Sequence, residues 1–331
     1  MKNFTTNFTR SNVTESTHVS KILIVDNKNN IILSSGDDED YIYPRSSIKV
    51  FQALPFIQTN AEKYFNLNRK CIALSCSSHR GEPFHIKELE LWISKIGVNK
   101  NILKCGIHNP LNHSASEQMQ RLRKNPNQLH NNCAGKHLAM ITSCIINNYN
   151  KKNYLDFNHP HQISIRKIFE KFSNDKIKRK YFGIDGCSAP QYAFKINKIA
   201  NMLTNLNKSY NDLFDYNNEV KKIINSIFAN PKYIGGSDSL DSKIMTIAKK
   251  NIFCKGGAEG VFLFTDLKKG LSGVIKIVDG NERAVPNLIF NLFKKFKIMD
   301  KSELLKLKKC CKFKLINHAN IVVGNINTKI E

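Results

Sequence analysis

The order of apolar patterns along the chain constrains the fold more than any other feature of the sequence. Short apolar, β-prone segments lie near both ends of the chain, at 21–25, 31–35, 252–255, 260–265 and 271–278. The centre instead carries apolar residues at the helical spacing of 3.6, in the segments 114–124, 135–149, 160–173, 192–206, 211–229 and 239–250. This order predicts an α+β fold, with an antiparallel sheet built from both chain ends and an inserted, mainly helical region.

Shorter patterns predict further elements. A turn-rich cluster at 26–30 makes the first two strands a hairpin. The remaining patterns predict a helix that begins near Ser46, a buried strand at 70–75, helices at 84–96 and 285–297, and a last strand at 321–324. Residues 1–19 are polar, so we expect a flexible leader there and a single domain over 20–331.

The chain has 331 residues and a formal net charge of +24, which raises the question of a nucleic-acid partner. Arg supplies nine of the 51 cations, although nucleic-acid sites favour Arg for bidentate and stacking contacts. The lysines are also spread along the whole chain. We therefore interpret the charge as a compositional bias toward Lys, Asn and Ile, and we predict no nucleic-acid partner.

The rest of the composition limits the cellular setting. A hydrophobic fraction of 41% excludes a mainly disordered chain. No apolar run reaches the roughly 18 residues of a membrane helix, and the first 20 residues lack the apolar core of a secretory signal. The nine cysteines have no disulfide-framework spacing, which indicates free thiols in a reducing compartment. We expect a cytoplasmic protein without a membrane partner.

The first candidate for chemistry is a serine three residues before a lysine. Ser46 and Lys49 would be neighbours on one helix face, and a neutral lysine can take the proton of a serine nucleophile. This pair follows a Tyr-Pro-Arg turn, at a loop-to-helix junction. The spacing alone is weak evidence, because two other pairs share it: Ser164/Lys167 and Ser173/Lys176.

Two more stretches carry candidate groups. In the polar loop 77–82, Ser78 and His79 could position or shuttle protons. Late in the chain, Lys255 ends a strand and is followed by glycines. A second cation near Lys49 would lower the pKa of that amine and keep some of it neutral. Each stretch is equally typical of an ordinary turn.

Two cysteines lie in segments that contain other candidate metal-binding residues. Cys133 is followed by Lys136 and His137 at a helix start, where a thiolate is favoured. Cys187 lies in a compact Gly-Ile-Asp-Gly-Cys-Ser-Ala-Pro turn. Thiolates are good zinc ligands, so the two segments could together form a metal site. The alternative is a helix-initiating loop with an incidental cysteine.

In chain order, these candidates follow the active site of serine β-lactamases and penicillin-binding proteins. The residues within these motifs resemble more closely those of the rhizobial-type L-asparaginases (asparaginase II, class 3). The five matching motifs are Arg45-Ser-x-x-Lys49, Ser78-His-x-Gly-Glu82, Asn131-Asn-Cys-x-Gly-Lys-His137, Asp185-Gly-Cys-x-x-Pro190 and Lys255-x-Gly-Ala-Glu-Gly260. A Cys-Gly-Ile-His-x-Pro segment at 105–110 is similar too, and the resemblance spans about 20–325.

The resemblance implies an L-asparaginase on a serine β-lactamase-like fold, with 20–331 as its catalytic domain and L-asparagine as its substrate. It implies two catalytic pairs, Ser46 with Lys49 and Ser78 with Lys255. The sequence does not settle which serine attacks the side-chain amide, and we favour Ser46. A covalent acyl-enzyme would follow.

The resemblance also implies binding groups and an assembly. Substrate-binding residues would be Arg45, His79, Lys136 and Asp185. One zinc ion per chain would be held by Cys133, Lys136 and Cys187, and would assist substrate binding rather than hydrolysis. The family resemblance further implies a homodimer.

The sequence departs from the family pattern at a few positions. Position 80 is Arg where a small residue is common, and an expected Arg is missing near Ser239, where Asp241 is expected to face the site. Two rival functions stay open at this point. One is a penicillin-recognising serine hydrolase, and the other is a basic, zinc-containing nucleic-acid-binding protein.

Overall fold

The computed structural model describes residues 4–329, which divide into two compact units. Within the described chain, the first unit holds the residues up to Ser47, Phe194–Lys208 and those from Lys243 onward. The second unit holds Ile48–Ala193 and Ser209–Ser242. The first is therefore assembled from distant parts of the chain, whereas the second is mainly its central part.

The strands are short, apart from the second. In chain order they are β1 (Phe4–Arg10), β2 (Val13–Val25), β3 (Ile31–Ser35), β4 (Tyr41–Ile42), β5 (Phe182–Ile184), β6 (Pro190–Tyr192), β7 (Phe194–Lys195), β8 (Ile252–Gly257), β9 (Val261–Asp266), β10 (Leu271–Ile277), β11 (Lys314–Ile316) and β12 (Val322–Lys329).

The first unit is built on an antiparallel sheet that joins both chain ends. Its order is β11-β12-β1-β2-β10-β9-β8, and β3 also pairs with β2. Strand β1 pairs with β12, with Phe8 opposite Ile326. Helix α13 (Val285–Lys295) packs on this sheet, where the rings of Phe293 and Phe264 meet with centroids 5.0 Å apart. The α+β class, the sheet from both ends and the hairpin of β2 with β3 are confirmed.

The N-terminal leader is a correction. We predicted a flexible segment over 1–19, but β1 and the first part of β2 occupy this stretch and pair with each other over 4–20. Phe4, Thr6 and Phe8 are buried, and they alternate along β1 with the more exposed Thr5, Asn7 and Thr9. Alternation of period two marks a half-buried strand, and the Asn and Thr content concealed it. Residues 1–3 of the predicted leader, and 330–331 of the predicted domain, lie outside the described residues.

The helices fill the middle of the chain. In chain order they are α1 (Lys49–Gln52), α2 (Leu54–Gln58), α3 (Ala61–Tyr64), α4 (Arg69–Ser75), α5 (Pro83–Ile96), α6 (His113–Arg121), α7 (Ala134–Ile146), α8 (Pro160–Ser173), α9 (Ile196–Tyr210), α10 (Asn217–Ala229), α11 (Lys232–Gly235), α12 (Leu240–Ile247), α13 (Val285–Lys295) and α14 (Lys301–Lys308). The six predicted central helices are confirmed, with ends shifted by up to six residues. The helix predicted at 192–206 begins only at Ile196, because β6 and β7 occupy the residues just before it. Among the described residues, no helix has both the length and the apolar character needed to cross a bilayer.

The predicted buried strand at 70–75 is wrong, because this segment is helix α4. The side chain of Asn68 accepts hydrogen bonds from the backbone N–H groups of Lys70 and Cys71 and so caps the helix. Residues 71–75 are all buried. A fully buried run has no amphipathic period, so sequence cannot tell a short buried helix from a buried strand.

Buried histidines make the stability of the second unit depend on pH. His161 is 2% exposed and its pKa is lowered to about 3, by burial first and then by the neighbouring His159. Its folded pKa is thus below the ordinary value of 6.5. The unfolded chain then binds the proton first as pH falls, so this contribution to stability is complete above about 6.5 and is lost toward acid pH.

We expect the replacement His161→Gln to flatten the pH dependence of stability. Between pH 7 and 5, the free energy of unfolding should fall by about 2 kcal/mol less in the variant than in the wild type, since each pH unit corresponds to about 1.4 kcal/mol. Denaturant unfolding at both pH values measures this. His113→Gln, at an exposed ring, is the control and should leave the pH dependence as it is. Equal slopes in wild type and His161→Gln would contradict the assignment.

Candidate active site

The loop after α4 carries the candidate residue Ser78. We define the Ser78 loop as residues 77–82, between α4 and α5. Gly81 has φ +70°, and a Cβ there would lie 2.9 Å from Cβ of Pro110, so only glycine allows this turn. The backbone N–H of Ser78 donates to the carbonyl of Ile234 at 2.8 Å. The loop is therefore held in place on the backbone of the second unit.

Lys49 connects this loop with a cysteine. The lysine is completely buried, and its Nζ donates to the carbonyl of Ser77, to Ser78 Oγ at 3.0 Å and to Cys133 Sγ at 3.1 Å. A buried amine with three acceptors is fixed in position. The structure thus brings Lys49, Ser78 and Cys133 together. The pairing of Ser78 with Lys255 and of Ser46 with Lys49 stays a prediction.

The candidate metal residues lie in one cluster. Cys133 precedes the first turn of α7, and Asp185 and Cys187 lie in the turn between β5 and β6. The two sulfur atoms and a carboxylate oxygen of Asp185 are all within 4.8 Å of one another. Lys136 Nζ donates to Cys187 Sγ at 3.1 Å. The sequence grouped these four residues, with Cys133, Lys136 and Cys187 as predicted zinc ligands and Asp185 as a substrate-binding residue that supports the zinc site.

The two thiols of the cluster differ in charge. The hydrogen bond from the Cys133 thiol lowers the pKa of Cys187 to about 5, and the charge of Lys136 adds to this against the effect of burial. The same hydrogen bond and burial raise the pKa of Cys133 to about 12. Burial works against the charge of Lys136, but the neighbouring Cys187, Cys133 and Asp185 raise its pKa. Cys187 is therefore the more acidic of the two thiols, and its ionised form is favoured beside the ammonium of Lys136.

A close approach of two helices joins the Ser78 loop to the cluster. A Cβ at Gly135 would lie 2.1 Å from the carbonyl oxygen of Leu74, at the end of α4. Only glycine lets the first turn of α7 pack against the end of α4. This contact places Cys133 and Lys136 beside the segment that leads to Ser78, which explains the glycine of the Asn-Asn-Cys-x-Gly-Lys-His motif.

The segment 105–112 is a second connection, whose role the sequence did not reveal. Its residues bind both loops: Asn131 Nδ2 donates to the carbonyl of Cys105 at 2.7 Å, and the Asn132 N–H donates to His108 Nε2 at 3.0 Å. The N–H of Asn112 donates to the Arg80 carbonyl at 2.9 Å. Most of these contacts are made by backbone groups, which leave no pattern in the sequence. The histidine in the irregular segment 105–112 is the one sequence signal for this connection.

His79 and the unusual Arg80 both lie in the Ser78 loop. His79 is completely buried, and its Nδ1 accepts a hydrogen bond from the Gly81 N–H at 3.2 Å. Burial, with the charges of His85 and Lys49, holds its pKa well below 6.5, so the ring is neutral. Arg80 instead reaches the exposed carboxylate of Asp238 at 3.4 Å. Substrate binding by His79 stays a prediction.

The other departures from the family pattern lie in one segment. Asp241 and Ser239 are buried, and both pack against Gly235, where a Cβ would lie 2.4 Å from Ser239 Oγ and 2.6 Å from Asp241 Oδ1. Ser239 Oγ also donates to Ser242 Oγ at 2.7 Å. These contacts hold the segment that follows α11 against the end of that helix.

The first unit holds the remaining predicted residues. Arg45 adopts φ +55°, which is strained for a residue with a side chain, and its guanidinium lies 3.9 Å from the carboxylate of Glu259. Strand β8 passes directly over the turn before Ser46, because a Cβ at Gly257 would lie 2.6 Å from the Pro44 carbonyl oxygen. Lys255 on this strand is 2% exposed and donates to the Gly256 carbonyl at 3.1 Å.

Comparison with known proteins identifies the family. The sequence profile of the L-asparaginase II family matches residues 6–328 of the 331-residue chain. The chain therefore belongs to the L-asparaginase II family, whose members are amidohydrolases that act on the amide of asparagine. A search of curated proteins finds no significant match. The family predicted from the five motifs is confirmed.

Proposed function

We propose that this protein hydrolyses the side-chain amide of L-asparagine to L-aspartate and ammonia, through a serine nucleophile that lysine activates. Besides membership of the family, one observation supports this proposal: the buried Lys49 amine that donates to Ser78 Oγ. A lysine held on a serine hydroxyl in a buried setting is the arrangement that proton transfer to and from a nucleophile requires.

The proposed reaction has two halves. Ser46 Oγ attacks the amide carbon, and Lys49 takes the hydroxyl proton and passes it to the departing nitrogen, which leaves as ammonia. Water then attacks the resulting ester, gives up a proton through the Ser78 and Lys255 pair, and releases aspartate with the Ser46 hydroxyl restored. The hydrogen bond from Lys49 to Ser78 Oγ also makes Ser78 a second candidate for the attacking group.

The cysteine cluster supports a zinc site. Two cysteine sulfurs and a carboxylate within 4.8 Å form a donor set that suits zinc. Both cysteines would bind as thiolates with release of the Cys133 proton, and Lys136 would complete the set only as the neutral amine. When bound, the ion would supply positive charge that attracts the substrate carboxylate. We propose that Cys133, Cys187 and Lys136 hold it, with Asp185 as a further oxygen donor.

The double replacement Cys133→Ser/Cys187→Ser should remove the metal. We expect about one zinc per purified wild-type chain and less than about a tenth of that in the variant, because a serine hydroxyl is a far weaker ligand than a thiolate. Elemental analysis after dialysis measures this. Cys144→Ser, a buried cysteine farther along α7, is the matched control and should keep its zinc. A metal-free wild type would overturn the zinc site but not the hydrolase.

The activity itself is tested by ammonia release from L-asparagine and L-glutamine side by side. We expect release from asparagine that depends on Ser46 and Ser78, so that Ser46→Ala and Ser78→Ala each lose most of it. A radiolabelled asparagine quenched during turnover should label the nucleophilic serine. Full activity in both serine variants would overturn the mechanism, and no release from asparagine would overturn the function.

The setting of the enzyme is also a proposal. Among residues 4–329 no disulfide joins any two cysteines, which supports a reducing compartment such as the cytoplasm. We propose a homodimer on a serine β-lactamase-like fold, with no nucleic-acid or membrane partner. Sedimentation at several protein concentrations would show a monomer mass if the dimer is wrong.

A further inference from the structure

The carboxylate of Glu82 makes contacts that the proposed mechanism does not use. Glu82 precedes the first turn of α5 but forms no side-chain cap to its own helix. Its Oε1 accepts from the backbone N–H of Ser237 at 2.9 Å, and its Oε2 accepts from Ser237 Oγ at 2.6 Å. Both oxygens of a buried carboxylate are thus used on one residue, in a segment more than 150 positions later in the chain.

The partner segment is shaped for this carboxylate. Gly236 has φ +120°, and a Cβ there would lie 2.7 Å from Glu82 Oε1. A side chain at position 236 would therefore both strain the backbone and displace the carboxylate. Hydrogen bonds to a charged acceptor are roughly twice as strong as neutral ones, so this two-point contact fixes the end of the Ser78 loop firmly.

The same segment also holds the other end of the Ser78 loop. The Ser78 N–H donates to the carbonyl of Ile234, three residues before Ser237. The loop is thus held at Ser78 and at Glu82, and the side chain at the first of these points, Ser78 Oγ, lies 3.0 Å from Lys49 Nζ. We propose that Glu82 is a positioning residue that locks the Ser78 loop on Ser237 and thereby holds Ser78 at Lys49. The catalytic part of this inference rests on the proposed function.

The kinetic test uses Glu82→Ala and Glu82→Gln. Loss of the carboxylate should lower kcat for ammonia release from asparagine at least about tenfold, because the serine and lysine lose alignment. KM should rise as well, because His79 in the same loop is a proposed substrate contact. Gln keeps an acceptor for the Ser237 N–H and can donate to Ser237 Oγ. It should therefore restore kcat to within about threefold of the wild type.

A matched control lies in the same two segments. Asp238→Asn removes the exposed ion pair with Arg80, and it should leave kcat and KM unchanged, since exposed pairs contribute little. Ser237→Ala removes one of the two donors and should lower kcat in the same direction as Glu82→Ala. It provides the test if the glutamate variant does not fold. Equal kcat in wild type and Ser237→Ala, or no rescue by Gln, would overturn the proposal.

Hydrogen exchange gives a measurement that does not need activity. Peptides that cover the Ser78 loop should exchange about tenfold faster in Glu82→Ala and as in wild type in Asp238→Asn, because the lock keeps the loop closed. If the wild type released no ammonia from asparagine, the proposed function would fail. The exchange experiment would still show whether Glu82 holds the Ser78 loop in place. Unchanged exchange of the loop in folded Glu82→Ala would refute it.

Discussion

Replacement of Lys49 by Met should reduce ammonia release from asparagine on the order of 10³-fold, the typical contribution of a well-placed proton-transfer group. Lys49 is completely buried and donates to Ser78 Oγ and Cys133 Sγ. Met has a similar length but no proton to exchange, so the serines lose the group that activates them. The loss should appear in kcat, because the chemistry fails after the substrate has bound.

The control for this prediction comes from the sequence itself. Lys167 follows Ser164 at the same spacing, but it lies exposed on α8, where Ser164 Oγ donates to the Pro160 carbonyl. Lys167→Met should therefore keep wild-type activity. Circular dichroism would establish that Lys49→Met is folded. A folded Lys49→Met protein with more than about a tenth of the wild-type rate would refute its role in proton transfer.

Replacement of Gly135 by Ala should damage both stability and activity. The new Cβ would lie 2.1 Å from the Leu74 carbonyl oxygen and 2.6 Å from its carbonyl carbon. These are backbone atoms, so the first turn of α7 must move away from α4. We expect the free energy of unfolding to fall by about 3 kcal/mol, although Ala is the better helix former by about 1 kcal/mol.

The same shift should lower ammonia release about 100-fold in the folded fraction. A displacement near 1 Å of the first turn of α7 would lengthen the contact between Cys133 Sγ and Lys49 Nζ and so misplace the lysine. Denaturant unfolding and kinetic assays measure the two effects. Gly256→Ala is the stability control, because the nearest atom to its Cβ is a Phe262 ring carbon at 3.9 Å. That control should change the free energy of unfolding by less than about 1 kcal/mol. A Gly135→Ala protein as stable as wild type would contradict the packing argument.

Sequence patterns predicted the fold well where one face of an element is buried. The helix at 84–96 has a polar and an apolar face, and α5 occupies Pro83–Ile96. Patterns failed where this asymmetry is absent or masked. Helix α4 is buried along 71–75, and β1 carries Thr or Asn at four of its seven positions. In both cases the deciding interactions, a cap and a partner strand, come from outside the apolar pattern.

The motifs predicted which residues matter better than how they contact each other. Cys133, Lys136, Asp185 and Cys187 do lie together, as the motifs indicated. The hydrogen bond from Lys49 to Ser78 was not predicted, because it joins the first turn of α1 to a loop 29 residues later. The Ser78-His-x-Gly-Glu82 motif contains Glu82 but does not indicate the partner of its carboxylate. Long-range partners of this kind leave no spacing in the sequence.

The pairing of β1 with β12 has a consequence for synthesis on the ribosome. The second unit is complete once Ser242 has been made. Strand β1 can pair with β2 early, but its other partner, β12, is missing until residues 322–329 emerge. At about 5–20 residues per second, the roughly 310 residues made between β1 and β12 take about 16 to 62 seconds. During this time the edge of β1 offers unpaired N–H and C=O groups to other nascent chains. Truncation at either end should therefore lower the soluble yield in cells by promoting aggregation.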